Sequence, residues 1–137
     1  MIQRIQTVWL LLSAIVIAST LYFNVFRLAD GTLLNLQDNY LAIVLVALSA
    51  ILSMTALFNF RKRNAQLNMI WLNILVVTGL LVWMFFSIED ARGTISEQGG
   101  AYQFGAFVPL ISMVLLFMAR SGIRKDIKLL KAYDRLR

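Results

Sequence analysis

The sequence has no cysteine, no histidine, a single proline and few charges for its length. Each shortage excludes something. Without cysteine there is no disulfide framework and no thiolate metal site. Without histidine the commonest zinc and haem ligand is gone, and with it the commonest proton shuttle near neutral pH. Charged residues are 15% of the 137, against about 25% in soluble domains, while 60% are hydrophobic. A soluble domain of this size leaves a large share of its chain facing water and could not hide so much apolar surface in one core. Hydrocarbon as the surrounding solvent removes the difficulty. Internal repeats, low-complexity tracts and long linkers are missing too, so the chain reads as one unit.

What is present is a regular punctuation of long neutral runs by charge. Uncharged stretches cover 5–26, 39–60, 64–88 and 98–119, with 22, 22, 25 and 22 residues. About 20 mainly apolar residues carry a helix across a hydrocarbon core of about 30 Å. Helix is the conformation that satisfies every backbone group within such a segment. Barrel strands would alternate apolar and polar over about 10 residues, and nothing here does. The expected fold class is therefore an all-α membrane protein. Four transmembrane helices form an antiparallel bundle over 1–119, followed by a basic amphipathic helix over 120–137. The first run resembles a signal peptide in having Arg4 ahead of it and the small residues Ala18 and Ser19 inside it. Its 22 uncharged residues exceed the usual apolar region of about 7–15, so it is read as a retained span. Arg61–Arg63 is so short a connection that the helices it joins must be antiparallel neighbours.

Lysine and arginine set orientation. Arg4, the triplet Arg61, Lys62 and Arg63, and the tail together hold 11 of the 13 basic residues. In a four-span chain these segments share one side. The other two loops hold Arg27 and Arg92, together with Asp30, Asp38, Glu89, Asp90 and Glu97. Both termini are expected on the cytoplasmic side. The high net charge is thus a topology signal, and no nucleic-acid partner is needed to explain it. Trp9 and Trp71 near one membrane face, and Tyr22, Phe23, Tyr40, Trp83 and Tyr102 near the other, fit aromatic belts.

No ionisable side chain falls inside any of the four runs. Such residues are the usual mark of proton relays and ion pathways. Small multidrug exporters share the four-span plan but need a carboxylate in the first helix, and the first run has none. The interior polarity is neutral. Ala42, Ser49, Ser53 and Ala56 lie along one stripe of the second helix, as a packing face where small residues let backbones approach and serine bonds across. Ala14 and Ala18 are a weaker version in the first. A substrate groove is the alternative reading of the stripe. In the third run Asn64 and Asn68 stand one turn apart, and Asn73 lies furthest from water. Asn68 and Asn73 are expected to hydrogen-bond between helices. Gly79 and Pro109 permit kinks. Gly93, Gly99, Gly100 and Gly105 lack the spacing and flanking strand of a dinucleotide site.

On a helical wheel, Arg124, Lys125, Lys128, Lys131 and Arg135 fall within about a third of the circle. Ile123, Ile127, Leu129, Leu130, Tyr133 and Leu136 occupy much of the rest. With Arg61, Lys62 and Arg63, these bases are candidate docking residues, for anionic headgroups at the inner leaflet or for the acidic surface of another membrane subunit. Asp126 and Asp134 lie on the less basic side. Lipid contact does not require them there, which points toward a partner or an internal pairing.

The ends of the chain are distinctive. It opens Met1-Ile2-Gln3-Arg4-Ile5-Gln6-Thr7. The turn Arg61-Lys62-Arg63 is followed by Gln66-Leu67, and the close reads Ile123-Arg124-Lys125-Asp126, then Asp134-Arg135-Leu136-Arg137. In these segments the chain resembles a domain-of-unknown-function family of short bacterial four-span membrane proteins. The resemblance implies four helices in a bacterial inner membrane, and brings no activity, cofactor or catalytic residue.

Three functions are weighed. The leading one is a non-enzymatic accessory or structural subunit of a larger inner-membrane complex, with no cofactor. The alternative is a small-molecule or lipid carrier acting as a homo-oligomer, with a neutral path near Ser49, Ser53, Asn68 and Asn73. A headgroup-modifying enzyme using Glu89, Asp90 and Glu97 is disfavoured, because a solvated loop is the ordinary home of such acids.

Overall fold

The computed structural model describes the backbone of residues 2–94 and 99–136 and the side chains of 5–93 and 99–136. Glu97, Arg137 and residue 98, the expected start of the fourth run, lie outside the described residues, as do the side chains of Gln3 and Arg4. The elements in order are α1 (Ile2–Ser19), β1 (Phe26–Leu28), β2 (Leu33–Leu34), a 3-10 turn (Leu36–Asp38), α2 (Tyr40–Phe58), α3 (Arg63–Thr94), β3 (Gly100–Tyr102) and α4 (Phe104–Arg135). The helices α2, α3 and α4 are long and apolar enough to cross a membrane, whereas the apolar part of α1 is shorter, Ile5–Ser19. By length and composition the chain is a membrane protein.

α1 packs on α2 and on α4, and α3 packs on the same two. Leu10, Ile17, Ile70, Val77, Leu80, Leu116 and Ile123 are fully buried between them. The outward surface is equally apolar: Leu75 is 66% exposed and Phe86 65%. Helices hydrophobic all round suit a lipid solvent. The Asn39 side chain caps α2 by accepting the Leu41 N–H at 3.1 Å. At the other end Asn59 donates to Thr55 O at 2.9 Å and reaches Met69 Sδ of α3 at 3.4 Å, so one amide closes α2 and fastens the basic turn.

Four boundaries differ from the neutral runs. α1 stops at Ser19 instead of continuing to residue 26, and Phe26 belongs to a strand. Absence of charge cannot tell an apolar helix from an apolar strand, and Thr20–Phe26 is the stretch where that ambiguity matters. The fourth helix likewise begins only at Phe104, after β3, and α3 runs past residue 88 to Thr94. The tail is not a separate helix after residue 119. It is the continuation of α4, unbroken to Arg135.

The strands form one antiparallel sheet in the order β2-β1-β3, with Phe26 opposite both Leu34 and Tyr102. It ties the loop after α1 to the loop before α4. Phe26 is fully buried, with its ring edge-on to Tyr102 at 5.1 Å. The Arg92 guanidinium of α3 lies 4.8 Å from the Phe26 ring and 5.6 Å from that of Tyr102, and pairs with Glu89 at 3.1 Å. Gly100 makes this closure possible. Its φ is +137°, and a Cβ there would stand 2.5 Å from the Phe26 ring. In the β1–β2 hairpin, Asp30 accepts the Thr32 N–H at 2.9 Å, and hydrogen bonds from Thr32 hold its carboxyl below the ordinary value.

Candidate functional site

Three places concentrate polar groups: the centre of the helix packing, a joint between α1 and α4, and the basic end of the molecule.

The central cluster draws on all four helices. Asn73 of α3 is 1% exposed. Its carbonyl oxygen accepts Ser49 Oγ of α2 at 2.5 Å, and its Nδ2 donates to Ser53 Oγ at 2.7 Å. Ser53 and Ser13 of α1 are 3.1 Å apart through their hydroxyls. Ser13 donates its proton to Leu10 O at 2.9 Å, so Ser53 is the donor in that pair. Ser112 of α4 donates to the Ser13 carbonyl at 3.3 Å. Each side chain therefore answers another. Ala42 and Ala56, the ends of the α2 stripe, are fully buried with Ser49 and Ser53. Asn68 does not join them. It is exposed, because five residues separate it from Asn73 and turn it about 140° round the helix. Asn64 is exposed as well, while Gln66 between them is buried. Ser13 and Ser112 are members that a reading of the spans one by one does not find. Their signal is position: Ser13 lies one turn from both Leu10 and Ile17 on the buried side of α1.

The joint is formed by Gln6 and Asp126. Asp126 is 6% exposed, and Gln6 Nε2 donates to its Oδ2 at 2.7 Å. The Gln6 side chain lies over Gly122, where a Cβ would come within 3.0 Å of Gln6 Cγ. Asp126 is on the same face as Ala119 and Ile123, both fully buried, so the acid sits within the apolar stripe of the tail. Its partner is an amide and not a cation. An amide donor satisfies a buried carboxylate, and removing one side leaves the other uncompensated at about 1–3 kcal/mol. Gln6→Leu is accordingly expected to destabilise the chain by that amount and to free the end of α4. Limited trypsin digestion in detergent should then cut faster at Arg124 and Lys125, while Asp126→Asn should be milder. Unchanged cleavage in Gln6→Leu would remove the joint.

At the basic end, Arg61, Lys62, Arg124, Lys125, Lys128, Lys131 and Arg135 are exposed and Arg63 is half-buried. Residues 60–65 and the α4 residues Ile127, Leu130, Lys131 and Asp134 line a cleft of about 870 Å³. Beside it, a second of about 650 Å³ is lined by Arg120, Arg124, Lys125 and Lys128 with Leu67 and Phe117. Asn64 and Ile127 border both. Arg135 lines neither. The apolar residues Leu129, Leu130, Tyr133 and Leu136 of the last turns are exposed. At the sheet end, a smaller cavity of about 270 Å³ lies among Val25, Leu36, Trp83, Met84 and Ile88, with Asp38 and Asp90 on its wall. Among the described residues no group of three metal-binding side chains is close enough to hold an ion. Glu89 is paired with Arg92.

Neither a curated protein nor a solved structure matches the chain. A family model does, over residues 2–136, and the chain belongs to the family described as Domain of unknown function (DUF4293).

Proposed function

We propose that this chain is a non-enzymatic accessory subunit of a larger assembly in a bacterial inner membrane, threaded four times as an antiparallel bundle with both termini cytoplasmic. The contacts between α1 and α4 run in opposite order, Gln6 with Asp126 and Ser13 with Ser112, which supports the antiparallel arrangement. The 18 residues of α1 span about 27 Å at 1.5 Å each, close to the hydrocarbon thickness. The bases of the 61–63 turn and of α4 line neighbouring clefts at one end, which fits the excess of Lys and Arg in cytoplasmic loops.

One observation carries the functional reading. The central polar side chains hydrogen-bond among the four helices, while apolar helix faces point outward and, among the described residues, the bases of the 61–63 turn and of α4 form no ion pair. Such a chain is arranged to hold its own fold and to be held by neighbours. The carrier reading has less support. Ser49, Ser53 and Asn73 face each other, and Asn68 lies on a different side.

The test is the mass of the particle extracted in mild detergent at native expression. A protein mass, corrected for bound detergent, well above the 15.6 kDa chain is expected, and crosslinks should form from the tail. Replacing Arg124, Lys125, Lys128, Lys131 and Arg135 with Gln should weaken that attachment, and high salt should mimic the loss. A monodisperse monomer, or tail crosslinks indifferent to the replacement, would refute the proposal.

A further inference from the structure

We infer that the paired clefts at the basic end hold the phosphate headgroups of anionic phospholipids of the inner leaflet, with Arg63 as the grip in one cleft and Arg120 in the other. The inference rests on the sidedness proposed above. Four observations lead to it. First, the clefts are cationic: Arg63, Lys62 and Lys131 line one, and Arg120, Arg124 and Lys128 the other. The single carboxylate among their linings is Asp134, and among the described residues none of these six cations forms an ion pair. Second, Arg63 Nη1 and Arg120 Nε are shielded from solvent and have no acceptor. Buried donors are normally satisfied, so an orphan guanidinium N–H invites an acceptor. A phosphate oxygen is the acceptor that suits a guanidinium best, because the planar fork matches it. Third, Arg120 is already positioned, with its guanidinium carbon 4.3 Å from the centre of the Trp71 ring. Fourth, the walls are not wholly polar. Phe60 in the first cleft and Phe117 in the second are about half exposed beside the cations. That gives glycerol and the first acyl carbons an apolar surface next to the headgroup site. An acidic protein surface would match the charge but brings no acyl chain for this apolar border.

The experiment uses the full chain in detergent, with lipid retention read by native mass spectrometry. Phosphatidylglycerol should be retained in preference to phosphatidylcholine. Arg63→Gln with Arg120→Gln should reduce its retention on the order of twentyfold, about fivefold for each charge near the headgroup. Arg27→Gln with Arg135→Gln removes the same charge from positions outside both clefts and should change retention less than twofold. Arg120→Lys preserves the charge without the planar fork and guards against a misfolded glutamine variant. It should still lose severalfold retention while keeping the unfolding midpoint. Equal loss in both double variants would overturn the site in favour of diffuse attraction. Absence of a preference for phosphatidylglycerol would overturn it outright. Full displacement of the lipid by millimolar inorganic phosphate would assign the clefts to free phosphate instead. Because the isolated chain is used, failure here leaves the subunit reading standing, and a monomeric native particle leaves the headgroup site standing.

Discussion

Replacing Gly105 with alanine should unfasten the sheet end of the molecule. Gly105 is the second residue of α4, and its N–H donates to Asn24 O at 3.0 Å. A Cβ built there would stand 2.5 Å from that same oxygen and 2.8 Å from Phe23 O. Both obstacles are backbone and cannot swing aside as a side-chain tip can. Either α4 or the loop after α1 must move, and the Gln103 N–H bond to Val25 O at 2.9 Å moves with it. Overpacking of this kind costs about 1–3 kcal/mol, and the upper end is expected because a hydrogen bond is lost too. The check is the unfolding midpoint of the detergent-solubilised protein by circular dichroism. Gly79→Ala is the control. Nothing lies within 4 Å of its would-be Cβ, and it sits mid-helix in α3. There alanine should raise stability by up to about 1 kcal/mol. Equal midpoints for the two variants would refute the close approach of α4 to the loop after α1.

The second large effect is expected at the opposite extreme of polarity. Asn73→Leu keeps the size of the side chain and deletes the hub of the central cluster. Ser49 loses its acceptor and Ser53 loses its donor, both at positions shielded from water. Hydrogen bonds between helices in lipid are worth roughly 0.6–2 kcal/mol each, so a loss of about 2 kcal/mol is expected. Ser53→Ala also deletes two bonds, the one from Asn73 and the one to Ser13, and should cost a similar amount. The double variant should fall short of the sum, because the two residues share a bond. Asn68→Leu should lie within about 0.5 kcal/mol of the parent, as exposed positions usually do. The same Asn73→Leu protein in liposomes separates the two functional readings. If the chain is a carrier with Asn73 in its path, solute flux changes. If the cluster is structural, no flux depends on that residue.

The coarse architecture was readable because lipid imposes a length. A run of 22 uncharged residues has few options in hydrocarbon, and α2 and α3 lie almost where the second and third runs put them. The α2 stripe was readable for a similar reason. Ala42, Ser49, Ser53 and Ala56 recur at helical spacing, and small or hydroxylated residues in an apolar helix have a packing role open to them. Asn73 stood out because an amide deep in an apolar run requires a partner. What it bonded to could not be read, since Ser49 and Ser53 are 24 and 20 residues away and the pairing depends on how α2 and α3 are rotated against each other. Asn68 shows the same limit in reverse: it has the same chemistry as Asn73, on a different face.

Sequence alone thus determined the solvent, the helical class and the gathering of bases at the 61–63 turn and the tail, because each follows from local composition and needs no knowledge of neighbours. Only the tertiary structure decided that the ends of two neutral runs leave the helix to make a sheet. The same is true of Gln6 meeting Asp126 across 120 residues and of the tail being one rod with the fourth helix. Strand pairing, helix rotation and the company a buried acid keeps are settled by contacts between distant segments, and no local pattern encodes those distances.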